Sequence, residues 1–262
     1  MSDALGGLLI ADFGRVLAGP YATMLLADLG AEVVKVERRE SGDDARSWGP
    51  PWVGEEATYF LSVNRNKESL ALDLRAPDDL AVARDLVARA DVVVENFLPG
   101  TMDRFGLGYD AVRAVNPGAV YCSITGFGGA NNLPGYDLLI QAVGGLMSIT
   151  GPEPGVPTKV GVAVVDIITG LHATVRILAA LRHRDRTGAG QRVDVNLLSS
   201  LLSALANQSL GYVAAGVVPA AVGNRHPSVV LYEIFQTADR ALVLAVGNDR
   251  QFRSLTRVFG VG

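Results

Sequence analysis

Among the residues that could do chemistry, Asp166 stands out because it lies near the start of a long apolar run, residues 160–184 (VGVAVVDIITGLHATVRILAALRHR). The spacing of the apolar residues predicts a helix over this run. An ionised carboxylate in apolar surroundings loses hydration that only a partner or a function can make good. Two explanations are open on this ground. In the structural one Asp166 caps the helix or pairs with a distant arginine, and in the functional one it reacts with a substrate.

A second group of candidate residues follows the first predicted strands. Arg38 and Arg39 come directly after the alternating segment 32–37 (EVVKVE), at the carboxyl end of a strand, where α/β folds bind ligands. The loop 14–20 (GRVLAGP) could present backbone N–H groups to a phosphate. It is not a dinucleotide fingerprint, because G-x-G-x-x-G is absent, so NAD binding is disfavoured. A solvated charged loop is the alternative for the arginine pair.

The elements that would position these residues alternate between strand and helix. Hydrophobic periodicity and turn residues predict strands over 8–13, 32–37, 59–63, 69–74, 90–97, 119–125 and 191–195. Helices are predicted over 21–29, 77–90, 101–105, 136–148, 160–184 and 197–215. This alternation indicates an α/β fold with a doubly wound, mostly parallel, Rossmann-like sheet.

Composition changes after residue 215. A linker over 216–228 precedes a predicted hairpin, 232–237 with 241–247, and a helix over 251–259. A hairpin and part of a helix are too little for a second core. We therefore expect residues 1–215 to form the main α/β domain, and 216–262 to form a linker and the beginning of a small second domain, apparently truncated.

Bulk composition limits the classes of function. The chain has 262 residues, 49% of them hydrophobic, and a net charge of −4, which argues against a nucleic-acid partner. Cys122 is the only cysteine and the three histidines have no metal-ligand spacing, so we expect no disulfide and no metal. Asp166, His172 and Arg176 interrupt the apolar run, which argues against a membrane span. With no signal peptide evident, we expect a cytoplasmic protein.

Several segments match, in order, those of a known family. The matching pieces are 15–20 (RVLAGP), 26–37 (LADLGAEVVKVE), 42–43 (GD), 66–67 (NK), 91–97 (DVVVENF), 126–128 (GFG), 135–137 (GYD), 187–191 (TGAGQ) and 223–224 (GN). From residue 8 to about residue 250 the chain resembles the family III CoA-transferases, a group that also includes an acyl-CoA racemase branch.

The resemblance implies a mechanism centred on Asp166, which aligns with the nucleophilic aspartate of this family. That carboxylate attacks an acyl-CoA thioester, giving a mixed anhydride and free CoA thiolate, and later steps pass CoA to a carboxylic acid acceptor. Asp137 lies where the transferases have an acid close to the nucleophile. A dry helix would strengthen the carboxylate as a nucleophile, and we expect Gly170 and Ala173 to leave room for the thioester.

The resemblance also implies where coenzyme A, the expected ligand, makes contact. A first loop, residues Val16, Leu17 and Ala18, touches CoA, and Arg38 is a cation that meets its phosphates. The remaining nucleotide and pantetheine contacts fall on Leu72, Asp73, Leu74, Arg75, Asn96, Phe97, Leu98 and Arg104. Near the thioester end lie Leu133, Pro134, Gly135 and Tyr136.

Alternatives to a transferase are a 2-methylacyl-CoA racemase and a non-catalytic CoA-binding subunit or fragment. The racemase branch needs a histidine just before the acid, where this chain has Tyr136, which does not titrate near neutrality. Family members continue past residue 262 and form interlocked dimers. We therefore expect a homodimer, or a heteromer in which another chain supplies the C-terminal part. The donor and acceptor acids stay open.

Overall fold

A computed structural model describes residues 3–261. Its strands are β1 (Leu9–Asp12), β2 (Glu32–Arg38), β3 (Trp52–Val53), β4 (Glu56–Ala57), β5 (Glu68–Leu72), β6 (Val92–Glu95), β7 (Val120–Thr125), β8 (Arg192–Asn196), β9 (Tyr232–Gln236) and β10 (Ala241–Ala245). Its helices are α1 (Ala18–Asp28), α2 (Thr58–Val63), α3 (Pro77–Arg89), α4 (Thr101–Phe105), α5 (Tyr109–Val115), α6 (Asp137–Val143), α7 (Leu146–Ile149), α8 (Val164–Thr187), α9 (Leu197–Ala204), α10 (Asn207–Ala215) and α11 (Asp249–Phe259). A 3-10 helix covers Asp44–Ser47.

The central feature of the described chain is a six-stranded sheet in the order β5-β2-β1-β6-β7-β8, with every neighbouring pair parallel. Ile10 of β1 lies opposite Val33 on one side and Val92 on the other. The chain order therefore reverses between β1 and β6. In open α/β sheets, ligands bind at the carboxyl ends of the strands at such a switch point. The predicted doubly wound sheet is confirmed.

Burial on both faces explains why the central strands are almost continuously apolar. Ile10 in β1 and Val92, Val93 and Val94 in β6 are fully buried. Helix α8 packs against α1 on one side and against β7 and β8 on another. By length and composition alone α8 could cross a membrane, but the core helix of a soluble protein meets the same criterion.

The structure corrects three predicted elements. Residues 58–63 are a helix rather than a strand, because the buried Phe60 and Val63 have helical spacing. The helix predicted over 136–148 is two helices, since Gly145 has φ of +86° and begins α7. The helix predicted over 197–215 is broken where Ala206 has φ of +45°, between α9 and α10.

The described residues fall into two compact units. Residues up to Ile140 together with Val162–Leu205 form the unit that contains the sheet. Gln141–Gly161 and the residues from Ala206 onward form the other. In the second unit, β9 and β10 pair antiparallel with Tyr232 opposite Ala245, which confirms the predicted hairpin.

Candidate active site

Asp166 lies in the first turn of α8, but it does not cap that helix. The residue before the helix, Ala163, has no side chain that could cap it. Instead Asp137, the first residue of α6, accepts hydrogen bonds at Oδ1 from the backbone N–H groups of Val165 (2.8 Å) and Asp166 (3.4 Å). Within residues 3–261 no arginine or lysine forms an ion pair with Asp166. The two structural roles considered for this carboxylate are therefore not the ones it has.

Because no cation pairs with Asp166 within residues 3–261, its carboxyl group ionises at a higher pH than usual. Burial, and secondly the negative charge of Asp137, raise the pKa of Asp166 from 3.8 to about 7. Tyr59 lies close to both carboxylates: burial and then the charges of Asp166, Asp137 and Asp43 raise the pKa of its phenol to about 12. A carboxylate that ionises near neutrality, beside a protonated phenol, is suited to nucleophilic or acid–base chemistry.

The first loop meets the start of α8. Val16 and Leu17 share one apolar cluster with Tyr59, Ala163 and Ile167, the last two flanking Asp166 in the chain. The sequence prediction that the first loop and Asp166 belong to one site is consistent with this arrangement. The cluster adds to the apolar surroundings of the first turn of α8, which agrees with the raised pKa of Asp166.

Val16 has a left-handed backbone, with φ of +67°, which costs a β-branched residue about 1–3 kcal/mol. Asp43 holds this conformation, because both of its carboxylate oxygens accept the Val16 N–H at 3.1 Å. The same carboxylate binds Lys35 Nζ at 2.8 Å, and Lys35 also donates to the carbonyl of Gly14 at 2.8 Å. Asp43 and Lys35 are 2% and 1% exposed. The loop is thus fixed by a buried ion pair.

A second buried ion pair supports the other end of the loop. Lys67 Nζ donates to Asp12 Oδ2 at 3.0 Å and to the carbonyl of Pro20 at 2.8 Å. Asp12 accepts the Gly14 N–H at 2.8 Å, and the hydroxyl of Thr23 at 2.7 Å. Burial is the main cause that lowers the pKa of Lys67 to about 8.

Sequence reasoning missed these two ion pairs as parts of the site. The sequence held one indication of them, because Lys35 is a charged residue in the middle of the otherwise apolar part of β2, where it is buried. The partners could not be paired from the sequence, because Lys35 and Asp43 are on different elements, as are Asp12 and Lys67.

Of the predicted CoA-contacting residues, Asn96 and Phe97 follow β6 at the switch point, and Arg38 ends β2, the strand on the other side of β1. Arg38 ends β2 next to Leu72 of β5, and its Nη2 donates to Asp44 Oδ1 at 2.5 Å. Asn96 follows β6 and holds the backbone of Arg15, accepting its N–H and donating to its carbonyl, both at 2.8 Å. The guanidinium of Arg15 lies over the ring of Phe97, 4.8 Å from the centroid.

The side chains of the other predicted CoA-contacting residues differ in how exposed they are to solvent. Leu72 is buried and Leu74 is partly buried against the core, so neither side chain is exposed. Leu98 is exposed. Arg75 is exposed and pairs with Asp73 at 2.9 Å, whereas Arg104 is exposed and donates to Thr101 Oγ1 at 3.0 Å. Ala18 is buried as the first residue of α1.

The segment 133–136 is attached to the end of β7. The backbones of Gly126 and Gly135 approach so closely that a Cβ on Gly126 would lie 2.6 Å from the Gly135 Cα. Leu133, Pro134 and Tyr136 are exposed, and Tyr136 immediately precedes Asp137. The segment therefore lies at the end of β7, and the hydrogen bonds that Asp137 accepts from Val165 and Asp166 connect its carboxyl end to the start of α8.

The predicted role of Gly170 and Ala173 is wrong. A Cβ on Gly170 would lie 2.8 Å from the carbonyl oxygen of Ala18 and 2.9 Å from Cδ1 of Tyr21. Ala173 is fully buried. Gly170 therefore allows α8 to approach α1 and Ala173 is enclosed in the core, so neither residue opens onto space for a thioester.

Together, fold and site define an open parallel α/β protein with a candidate carboxylate nucleophile beside the ligand-binding edge of its sheet. The sequence model of CoA-transferase family III matches residues 5–262, and the chain belongs to that family.

Relatives and solved structures agree with this assignment. The chain is 47% identical to the succinate–glutarate CoA-transferase of Agrobacterium fabrum, covering 98% of this chain and 67% of the relative. It is 46% identical to the succinyl-CoA:glutarate CoA-transferase of Homo sapiens, covering 97% of this chain and 59% of the relative. A crystal structure of a CaiB/BaiF family protein from Brucella suis superposes with a TM-score of 0.89 at 44% identity, covering 98% of this chain and 70% of that one. The chain thus spans 59–67% of the length of these curated relatives.

Proposed function

We propose that this protein transfers CoA from an acyl-CoA to a carboxylic acid, with Asp166 as the nucleophile. The observation that carries the proposal is the partly buried Asp166 carboxylate, which has no cationic partner within residues 3–261 and a pKa raised to about 7. A poorly hydrated carboxylate is a stronger nucleophile towards a thioester than a solvated one.

The proposed reaction balances as two successive exchanges at Asp166. Its carboxylate attacks the thioester carbonyl, the C–S bond breaks, and a mixed anhydride and CoA thiolate result. The thiolate then attacks the aspartyl carbonyl and releases the donor acid. The acceptor carboxylate repeats these steps in reverse, which forms the new acyl-CoA and regenerates Asp166. No proton is consumed overall.

Dicarboxylic acids are the proposed substrate class. The relatives at 46–47% identity are named for succinate, glutarate and mesaconate. We therefore propose succinyl-CoA as the donor and a dicarboxylate such as glutarate as the acceptor.

Trapping of the intermediate tests the proposal. The protein is incubated with succinyl-CoA and then with hydroxylamine, and peptides are analysed by mass spectrometry. We expect a hydroxamate on Asp166 that is lost in Asp166→Asn and retained in the control Asp110→Asn, whose carboxylate is exposed on α5.

Two results would contradict the proposed function. A hydroxamate that persists in Asp166→Asn would place the nucleophile elsewhere. Incorporation of solvent deuterium at the α-carbon of a 2-methylacyl-CoA, without transfer of CoA, would identify a racemase instead.

A further inference from the structure

Two arginines at the switch point share a single carboxylate. Nη1 of Arg15, which follows β1, lies 3.5 Å from Asp44 Oδ2, and Nη2 of Arg38 lies 2.5 Å from Asp44 Oδ1. Two guanidinium groups and one carboxylate leave one positive charge uncompensated. The two arginine side chains are 36% and 50% exposed, so a ligand can reach both. The group is therefore a candidate anion-binding site.

The backbone and guanidinium of Arg15 are held in place, but few of its N–H donors form hydrogen bonds. Asn96 binds both backbone groups of Arg15, and the guanidinium lies over the Phe97 ring. Its contact with Asp44, at 3.5 Å, is longer than the 2.7–2.9 Å typical of charge-assisted hydrogen bonds. Nε is buried and has no hydrogen-bond acceptor within residues 3–261. The donors that a ligand can reach are therefore on the exposed Nη groups, which make only the long contact with Asp44.

We propose that Arg15 binds a phosphate group of CoA together with Arg38. The inference rests on the proposed function, because it takes CoA as the ligand. A guanidinium offers a planar fork of donors that matches the oxygens of a phosphate, and the uncompensated charge favours an anion. The position fits as well, since Arg15 lies in the loop after β1 and Asn96 directly follows β6, the strands between which the sheet reverses its order.

Binding measurements on the whole chain test this role. CoA, dephospho-CoA and pantetheine are titrated by calorimetry into the wild type, Arg15→Gln, Arg15→Lys and Arg89→Gln. The last variant is the control, because it also removes one exposed positive charge, at the carboxyl end of α3. That helix end precedes the amino end of β6, at the edge of the sheet opposite to Arg15.

We expect Arg15→Gln to weaken CoA binding by about 10- to 100-fold, as for loss of a hydrogen bond to a charged group. Affinity for pantetheine, which has no phosphate, should stay the same. Arg15→Lys should recover part of the loss, since it keeps the charge without the fork. Dephospho-CoA locates the contact: an equal loss indicates the pyrophosphate, and no loss indicates the 3′-phosphate.

Three results would overturn the inference. Wild-type affinity for CoA in Arg15→Gln would refute it and leave the proposed function standing. An equal loss of affinity for pantetheine would show that Arg15 only shapes the site. If the wild type binds no CoA, the proposed function fails as well.

Discussion

Replacement of Asp166 by asparagine should stabilise the protein at alkaline pH. The pKa of Asp166 is about 7 in the folded protein and close to 3.8 in the unfolded chain. Between these values the unfolded chain has lost the proton that the folded protein keeps. The stability that protonated Asp166 contributes is thus fully present below pH 3.8 and is lost as the pH rises through about 7.

The size of the effect follows from the same two pKa values. One pKa unit corresponds to about 1.4 kcal/mol, so a rise from about pH 5 to about pH 8 removes roughly 3 kcal/mol. The carboxylate is only partly buried, and screening by solvent reduces this to about 2 kcal/mol. Asparagine does not titrate, so Asp166→Asn should gain about 2 kcal/mol on the wild type across this interval.

Urea unfolding at both pH values measures the difference. A difference between wild type and Asp166→Asn that is the same at about pH 5 and about pH 8 would refute the raised pKa and, with it, the argument for the nucleophile. Asp137→Asn is the informative companion variant. It keeps an oxygen acceptor for the Val165 N–H but removes the neighbouring charge, so the pH at which the loss of stability ends should move below about 7.

The remaining predictions concern the packing around the site. Asp43→Ala leaves Lys35 buried without its partner, and we expect a loss of about 3–5 kcal/mol in the free energy of unfolding, measured by urea titration; a loss below 1 kcal/mol would contradict it. Gly170→Ala places a methyl group 2.8 Å from the carbonyl oxygen of Ala18 and should cost about 1–3 kcal/mol. The control Gly211→Ala, in the middle of α10 with open space around it, should instead gain about 0.5–1 kcal/mol. Equal effects of the two alanines would show that helix packing is not what Gly170 provides.

The sheet could be predicted because each strand is marked by residues that are neighbours in the sequence. β1 and β6 are short apolar runs ending in polar residues, and each is followed by turn residues and a helix. The helix α2 was not predictable as such, because Tyr59 to Val63 is short and rich in residues that also favour strands. Its helical form is decided by the burial of Phe60 and Val63, which depends on elements distant in the sequence.

The site was predictable only in part, because its chemistry depends on pairs formed across the fold. Asp166 could be singled out from its apolar neighbours, but the absence of a cationic partner within residues 3–261 needed the structure. The role of Asp137 as the cap of α8 joins residues 28 positions apart in the chain. Gly170 was singled out correctly as a small residue, but the predicted reason, space for a thioester, was wrong. Small side chains allow both ligand access and the close approach of two helices, and only the three-dimensional structure distinguishes these roles.

The site has two parts that differ in stability. The first loop is preformed by buried ion pairs, whereas the ionised Asp166 carboxylate is destabilising in the free protein. The left-handed backbone at Val16 costs about 1–3 kcal/mol, and the Asp43–Lys35 pair that accepts its N–H offsets this cost before any ligand arrives. The first loop therefore does not need CoA to acquire its shape. Ionised Asp166 has no comparable support from a cation within residues 3–261, so its charge remains destabilising in the free protein. Attack on a thioester would remove that charge by forming a neutral anhydride. A charge that destabilises the folded protein at alkaline pH would then be removed by the proposed reaction, while the loop beside it keeps its shape.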